Sequence, residues 1–102
     1  MDFKIIWTDS ATNDLKEIRG YIAKNNLAAA EKVGRGILDH VRILETFPLI
    51  GPAYPRKSRG AVREIVYGSY QIFYEPLSRA KSVNILRVWH GARGEPQIFK
   101  KK

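Results

Sequence analysis

The sequence predicts an α+β domain, a small antiparallel β-sheet backed by an N-terminal helical hairpin, in the order β-α-α-β-β-β. Three observations carry this. Two consecutive segments, 11–22 and 27–46, repeat apolar side chains at helical spacing. Three runs rich in β-branched and aromatic residues follow them. Between two of those runs stands Gly68-Ser69, a glycine-first pair suited to a tight hairpin turn.

Residues 3–7, FKIIW, are a short apolar run and read as the first strand. Thr8, Asp9 and Ser10 can each cap the next helix, because each can offer an oxygen to a free first-turn amide. There Ala11, Leu15, Ile18 and Ile22 form one apolar stripe, with Asp14, Lys16, Glu17 and Arg19 expected on the solvent side. Lys24-Asn25-Asn26 reads as a turn. The second helix is expected from Leu27 to Thr46, with Ala30, Val33, Ile37, Val41 and Leu44 buried and Pro48 ending it. Gly34 and Gly36 each cost this helix ~1 kcal/mol against alanine, which a close approach of the first helix or a kink would explain.

Residues 48–60, PLIGPAYPRKSRG, form a loop that is long for so small a domain. A two-residue type II′ hairpin at Gly68-Ser69 pairs Tyr67 with Tyr70, Ile65 with Ile72 and Arg63 with Tyr74 on the face toward the helices. Glu64, Val66, Gln71, Phe73 and Glu75 then share the opposite, open face. Residues 83–90, VNILRVWH, are apolar at both parities, as in a strand in the middle of a sheet. The tail 95–102 is expected to be flexible.

A chain of 102 residues, 44% apolar, suffices for one domain, taken as 1–102, and is too short for two. The absence of cysteine excludes a disulfide framework and thiolate chemistry. Neither a signal-peptide start nor the ~20 apolar residues of a membrane span is present, so a cytoplasmic location without membrane association is expected. Residues 1–47 hold seven basic and seven acidic side chains, whereas residues 48–102 hold eleven and three. The whole +8 charge therefore lies in the second half, which points to an anionic partner such as nucleic acid or an acidic protein segment.

No phosphate-cradling glycine loop, nucleophile elbow or histidine–carboxylate cluster is present, so neither cofactor nor metal is expected. The remaining polar set suits one metal-free reaction, RNA cleavage by the neighbouring 2′-hydroxyl. That reaction needs a base, an acid, and cations for the crowded phosphate. His90 can be the acid or base, or a strand-end histidine bonded to backbone. Arg87 and Arg93 can hold phosphate through paired hydrogen bonds, or be surface charges. Arg63 with Arg56, Lys57 and Arg59 makes either a phosphate-facing rim or a solvated loop. Glu64 or Glu75 can be a base or a cross-strand ion-pair partner. Tyr67, Tyr70 and Tyr74 are expected to pack in the core.

Several segments resemble the RelE/ParE toxin superfamily. Trp7-Thr8, Ala11, Asp14-Leu15, Ile18 and Tyr21-Ile22 resemble its first-helix signature, and Pro48-Leu49-Ile50-Gly51 its loop. Tyr70-Gln71-Ile72-Phe73-Tyr74 is similar to its central-strand motif, and His90-Gly91-Ala92-Arg93 to its closing motif. The resemblance runs from Phe3 to Arg93. It implies a toxin of a bacterial type II toxin–antitoxin pair, forming a hetero-oligomer with an antitoxin that covers its basic surface.

The superfamily divides between ribosome-dependent mRNA endonucleases and inhibitors of DNA gyrase. Where RelE-like nucleases carry an arginine after the central-strand tyrosine, this chain has Gln71; near the C-terminus it has Phe99 instead of a tyrosine. The resemblance therefore leans to a ParE-like gyrase inhibitor, with Arg56, Lys57, Arg59, Arg63 and Gln71 contacting the target. In the alternative, a metal-independent mRNA endonuclease, His90, Arg93 and Arg87 would be catalytic. A third reading is a non-toxic nucleic-acid-binding module built on residues 56–63.

Overall fold

A computed structural model describes residues 2–55 and 61–93 of the chain. The elements are β1 (Lys4–Trp7), α1 (Asp9–Ala23), α2 (Leu27–Val41), α3 (Ile43–Thr46), β2 (Arg63–Tyr67), β3 (Tyr70–Leu77) and β4 (Ser82–His90), with a 3-10 turn at Gly91–Arg93. Their order is the expected one. The sheet order is β1-β4-β3-β2, so β3 and β4 are central. The β2–β3–β4 part is an antiparallel meander, and β1 joins β4 in parallel, making the sheet mixed. A parallel neighbour requires a long crossover, and here the helices lie within the connection.

Of the three possible caps, Thr8 starts α1. Its hydroxyl oxygen accepts the Ala11 amide at 3.2 Å while donating to the Ile85 carbonyl at 2.7 Å, which ties the helix start to β4. Asn26 caps α2 in the same way through the Ala29 amide. The expected single helix 27–46 is two helices. At Arg42 the backbone amide bonds three residues back, to Asp39, and this tighter turn separates α2 from α3 while Leu44 stays buried.

The core lies between the hairpin and one sheet face. Ala11, Ile37, Val41 and Leu44 meet Ile72, Tyr74, Val83, Ile85 and Val88 there, all essentially inaccessible. The Gly68-Ser69 turn gives the expected register, with Gly68 at φ +58°. Gly34 does admit α1, since a Cβ would meet the Arg19 stem at 2.8 Å, but Gly36 makes room for the Tyr67 hydroxyl of β2 instead. In β4 the apolar pattern at both parities has a second cause besides centrality. The β3–β4 register slips between Phe73 and Tyr74, leaving Leu86 as an extra residue, so Val83 and Ile85 share a face with Val88.

The loop after α3 is pinned to the sheet. The Gly51 amide donates to the Tyr74 hydroxyl oxygen at 3.0 Å, Arg63 donates to the Leu49 and Gly51 carbonyls, and the Glu64 amide donates to Pro52 at 3.0 Å. Burial raises the Tyr74 pKa, opposed by the Gly51 amide and the Arg63 charge. A folded phenol with a raised pKa contributes stability that is complete below the unfolded value of ~10 and is lost as pH climbs through the folded value. The melting-temperature advantage of the native chain over Tyr74→Phe should therefore shrink above pH ~10. A constant advantage between pH ~8 and ~11 would contradict this account.

Candidate functional site

At the outer edge of the sheet β4 runs on past β1. The last β1 residue, Trp7, pairs with Ile85, so among the described residues the stretch from Arg87 to His90 has no strand on that side. Asp14 of α1 takes the strand's place. Its Oδ2 accepts the Val88 amide at 3.0 Å and Arg87 Nε at 2.7 Å, and its Oδ1 accepts Arg87 Nη2 at 2.9 Å. Asp14 was expected on the solvent side of α1, yet it is only 7% exposed. A carboxylate tolerates such burial because a bidentate guanidinium and a backbone amide satisfy it. The Asp14 hydrogen bond is also the main reason the Arg87 pKa is raised, so this side chain stays cationic. The Arg87 guanidinium lies 5.0 Å from the Trp89 ring centroid as well.

On the face away from the helices, Gln71 is paired with Trp89 across β3 and β4 and with Val66 across β2 and β3. Its Nε2 donates to Glu64 Oε2 at 2.8 Å, so the centre of this face carries an amide–carboxylate pair. Phe73, expected on the open face, is fully buried there because the Tyr54 ring of the loop covers it, with centroids 4.6 Å apart.

His90 is on the other face. It pairs with Tyr70 across the ladder, and the rings meet edge to face at 5.2 Å. Its Nδ1 accepts the Ala92 amide at 3.1 Å. Beside it opens a cavity of about 500 Å³ lined by Glu17, Ile18, Tyr21, Tyr70 and His90. Burial raises the Tyr70 pKa.

The predicted residues thus fall into separate groups. Gln71 and Arg87 belong to the open face, His90 to the helix-facing side, and Arg63 to the loop anchor. Arg93 ends the 3-10 turn after His90. Arg56, Lys57 and Arg59, like the tail 95–102, lie outside the described residues. From the sequence Tyr21 entered only through the first-helix motif and Glu17 only as a solvent-side residue, although their four-residue spacing places both beside Ile18 on α1. Among the described residues no three His, Cys, Asp or Glu side chains converge as metal ligands. No helix among them is long and apolar enough to cross a membrane.

This arrangement, a helical hairpin laid on a small mixed sheet, is shared by two solved structures from toxin–antitoxin systems. The structure of the chromosomal ParDE toxin–antitoxin system from P. aeruginosa matches with a TM-score of 0.71 at 22% identity, covering 86% of this chain and 95% of that one. The toxin–antitoxin complex RelBE2 from Mycobacterium tuberculosis matches with a TM-score of 0.59 at 25% identity, covering 88% and 99%. No curated protein sequence matches the chain. The family model described as the ParE toxin of the type II toxin–antitoxin system, parDE, matches residues 5–94, and the chain belongs to that family.

Proposed function

We propose that this toxin inhibits DNA gyrase in the cytoplasm and is held inactive by a cognate antitoxin. The observation that supports inhibition by contact over RNA cleavage is that the sheet parts Arg87 from His90, while Arg87 and Arg63 are each already engaged. Arg87 is closed by Asp14, Arg63 is bound to loop carbonyls, and His90 faces away from Gln71. A phosphate at His90 would meet neither Arg87 nor Arg63 in a free state, whereas in-line cleavage needs acid, base and cation around one phosphorus. The antitoxin as partner is supported by the two toxin–antitoxin structures of the same fold and by the +8 charge, which an acidic segment would complement.

The deciding experiment is plasmid supercoiling by purified gyrase with increasing amounts of the purified toxin. Supercoiling should fall, and cleaved plasmid should accumulate after protein denaturation, while mRNA on stalled ribosomes stays intact. Untouched supercoiling at large toxin excess would end this reading. If ribosome-bound mRNA is cut instead, the endonuclease alternative holds, and His90→Gln should then abolish the cutting.

A further inference from the structure

The cavity beside His90 has a composition unlike the rest of this basic chain. Among the described residues its walls are Ile18 and three rings, those of Tyr21, Tyr70 and His90, and the one formal charge there is the Glu17 carboxylate. Glu17 takes part in neither of the described ion pairs, Arg19–Glu31 and Arg87–Asp14. Arg87 is near enough to feel its field, but the Arg87 fork is already filled by Asp14. The cleft thus sets a carboxylate that joins neither described ion pair beside aromatic rings. Tyr21, one turn beyond Glu17, is 75% exposed at its rim.

Aromatic rings beside an unpaired carboxylate fit one class of guest. A guanidinium can lie against a ring with its apolar plane while its edge donates to the carboxylate, and it leaves water more readily than an ammonium. We propose that this cleft is a socket for a cationic side chain, arginine above all, carried by the antitoxin segment that covers the toxin. The choice of the antitoxin as source rests on the function proposed above; the chemistry of the socket does not. The socket would fix the register of a mostly acidic partner, since one misplaced cation elsewhere on a +8 surface is repelled.

Two measurements test it. In the first, the purified toxin is titrated with N-acetyl-argininamide and with the uncharged near-isostere N-acetyl-citrullinamide, following the ring signals of His90, Tyr70 and Tyr21 by NMR. The arginine probe should shift these signals saturably, with the citrulline probe about fivefold weaker and Glu17→Gln reducing arginine binding about threefold. Equal effects of the two probes, no saturable shift, or indifference to Glu17→Gln would overturn the socket.

In the second, Glu17→Arg is compared with Asp39→Arg, an exposed carboxylate on α2 outside the cleft, in the toxin purified with its antitoxin. Either change adds positive charge, which on long-range grounds strengthens capture of an acidic partner. Glu17→Arg should instead speed dissociation at least about tenfold, a loss that Asp39→Arg does not share. Equal behaviour of the two variants would overturn the antitoxin as occupant. If no antitoxin accompanies the toxin, the functional reading fails, while the argininamide titration still decides the socket.

Discussion

Arg87→Ala is expected to lower the unfolding free energy by about 3 kcal/mol, a large share of the ~5–15 kcal/mol of a domain this size. The cost arises on the other side of the pair. Asp14 is 7% exposed and would be left with the Val88 amide as its only described partner. Asp14→Ala should cost a similar amount, because it strands both the guanidinium and that amide. The double variant should lose less than the sum of the two, by at least about 1 kcal/mol. Arg87→Lys should recover under half, since an ammonium cannot reproduce the two-pronged contact at 2.7 and 2.9 Å. Urea unfolding followed by circular dichroism measures all four. Single variants within ~0.5 kcal/mol of the native chain, with additive effects, would show that the pair is decorative.

The second large effect is expected at Gly51. A methyl group there would run into the Glu64 backbone carbonyl and stand 2.9 Å from the Tyr74 hydroxyl. The carbonyl belongs to β2, which is held in register by β3, so it cannot yield as a side-chain tip would. Gly51→Ala should therefore cost about 3 kcal/mol, at the upper end for overpacking, or else lift the loop from the sheet. Adding Tyr74→Phe removes the hydroxyl obstacle but not the backbone one, so it should give no full rescue. Denaturation midpoints decide the first outcome, and amide exchange at Gly51 and Glu64 reports the second. A variant as stable and as protected as the native chain would refute the steric account.

The parts of this fold that local chemistry determines were readable in the sequence. Gly68-Ser69 set the β2–β3 register because a two-residue turn leaves no freedom in the pairing. The helical stripes located α1 and the start of α2, because burial repeats every turn. What escaped depends on residues far apart in the chain. Asp14 looks like any solvent-facing carboxylate of an amphipathic helix, and its partner lies 73 positions away. The parallel seating of β1 leaves no mark in a four-residue strand. The separation of His90 from Gln71 follows from the β3–β4 register. That register depends on the slip at Leu86, without which Gln71 would oppose Val88 and share a face with His90, and on the turn at Ser78–Lys81, where Lys81 adopts φ +55° without the glycine that would have announced it.

The Asp14 carboxylate also bears on how copies of this chain treat one another. A strand that outlasts its neighbour presents bare amides, and bare amides on a sheet edge recruit strands from other molecules. Here the Val88 amide is already occupied by a side chain rooted in a helix. One hydrogen-bonding position on this margin of the sheet is thereby closed to a strand from another copy, by the same carboxylate that holds Arg87.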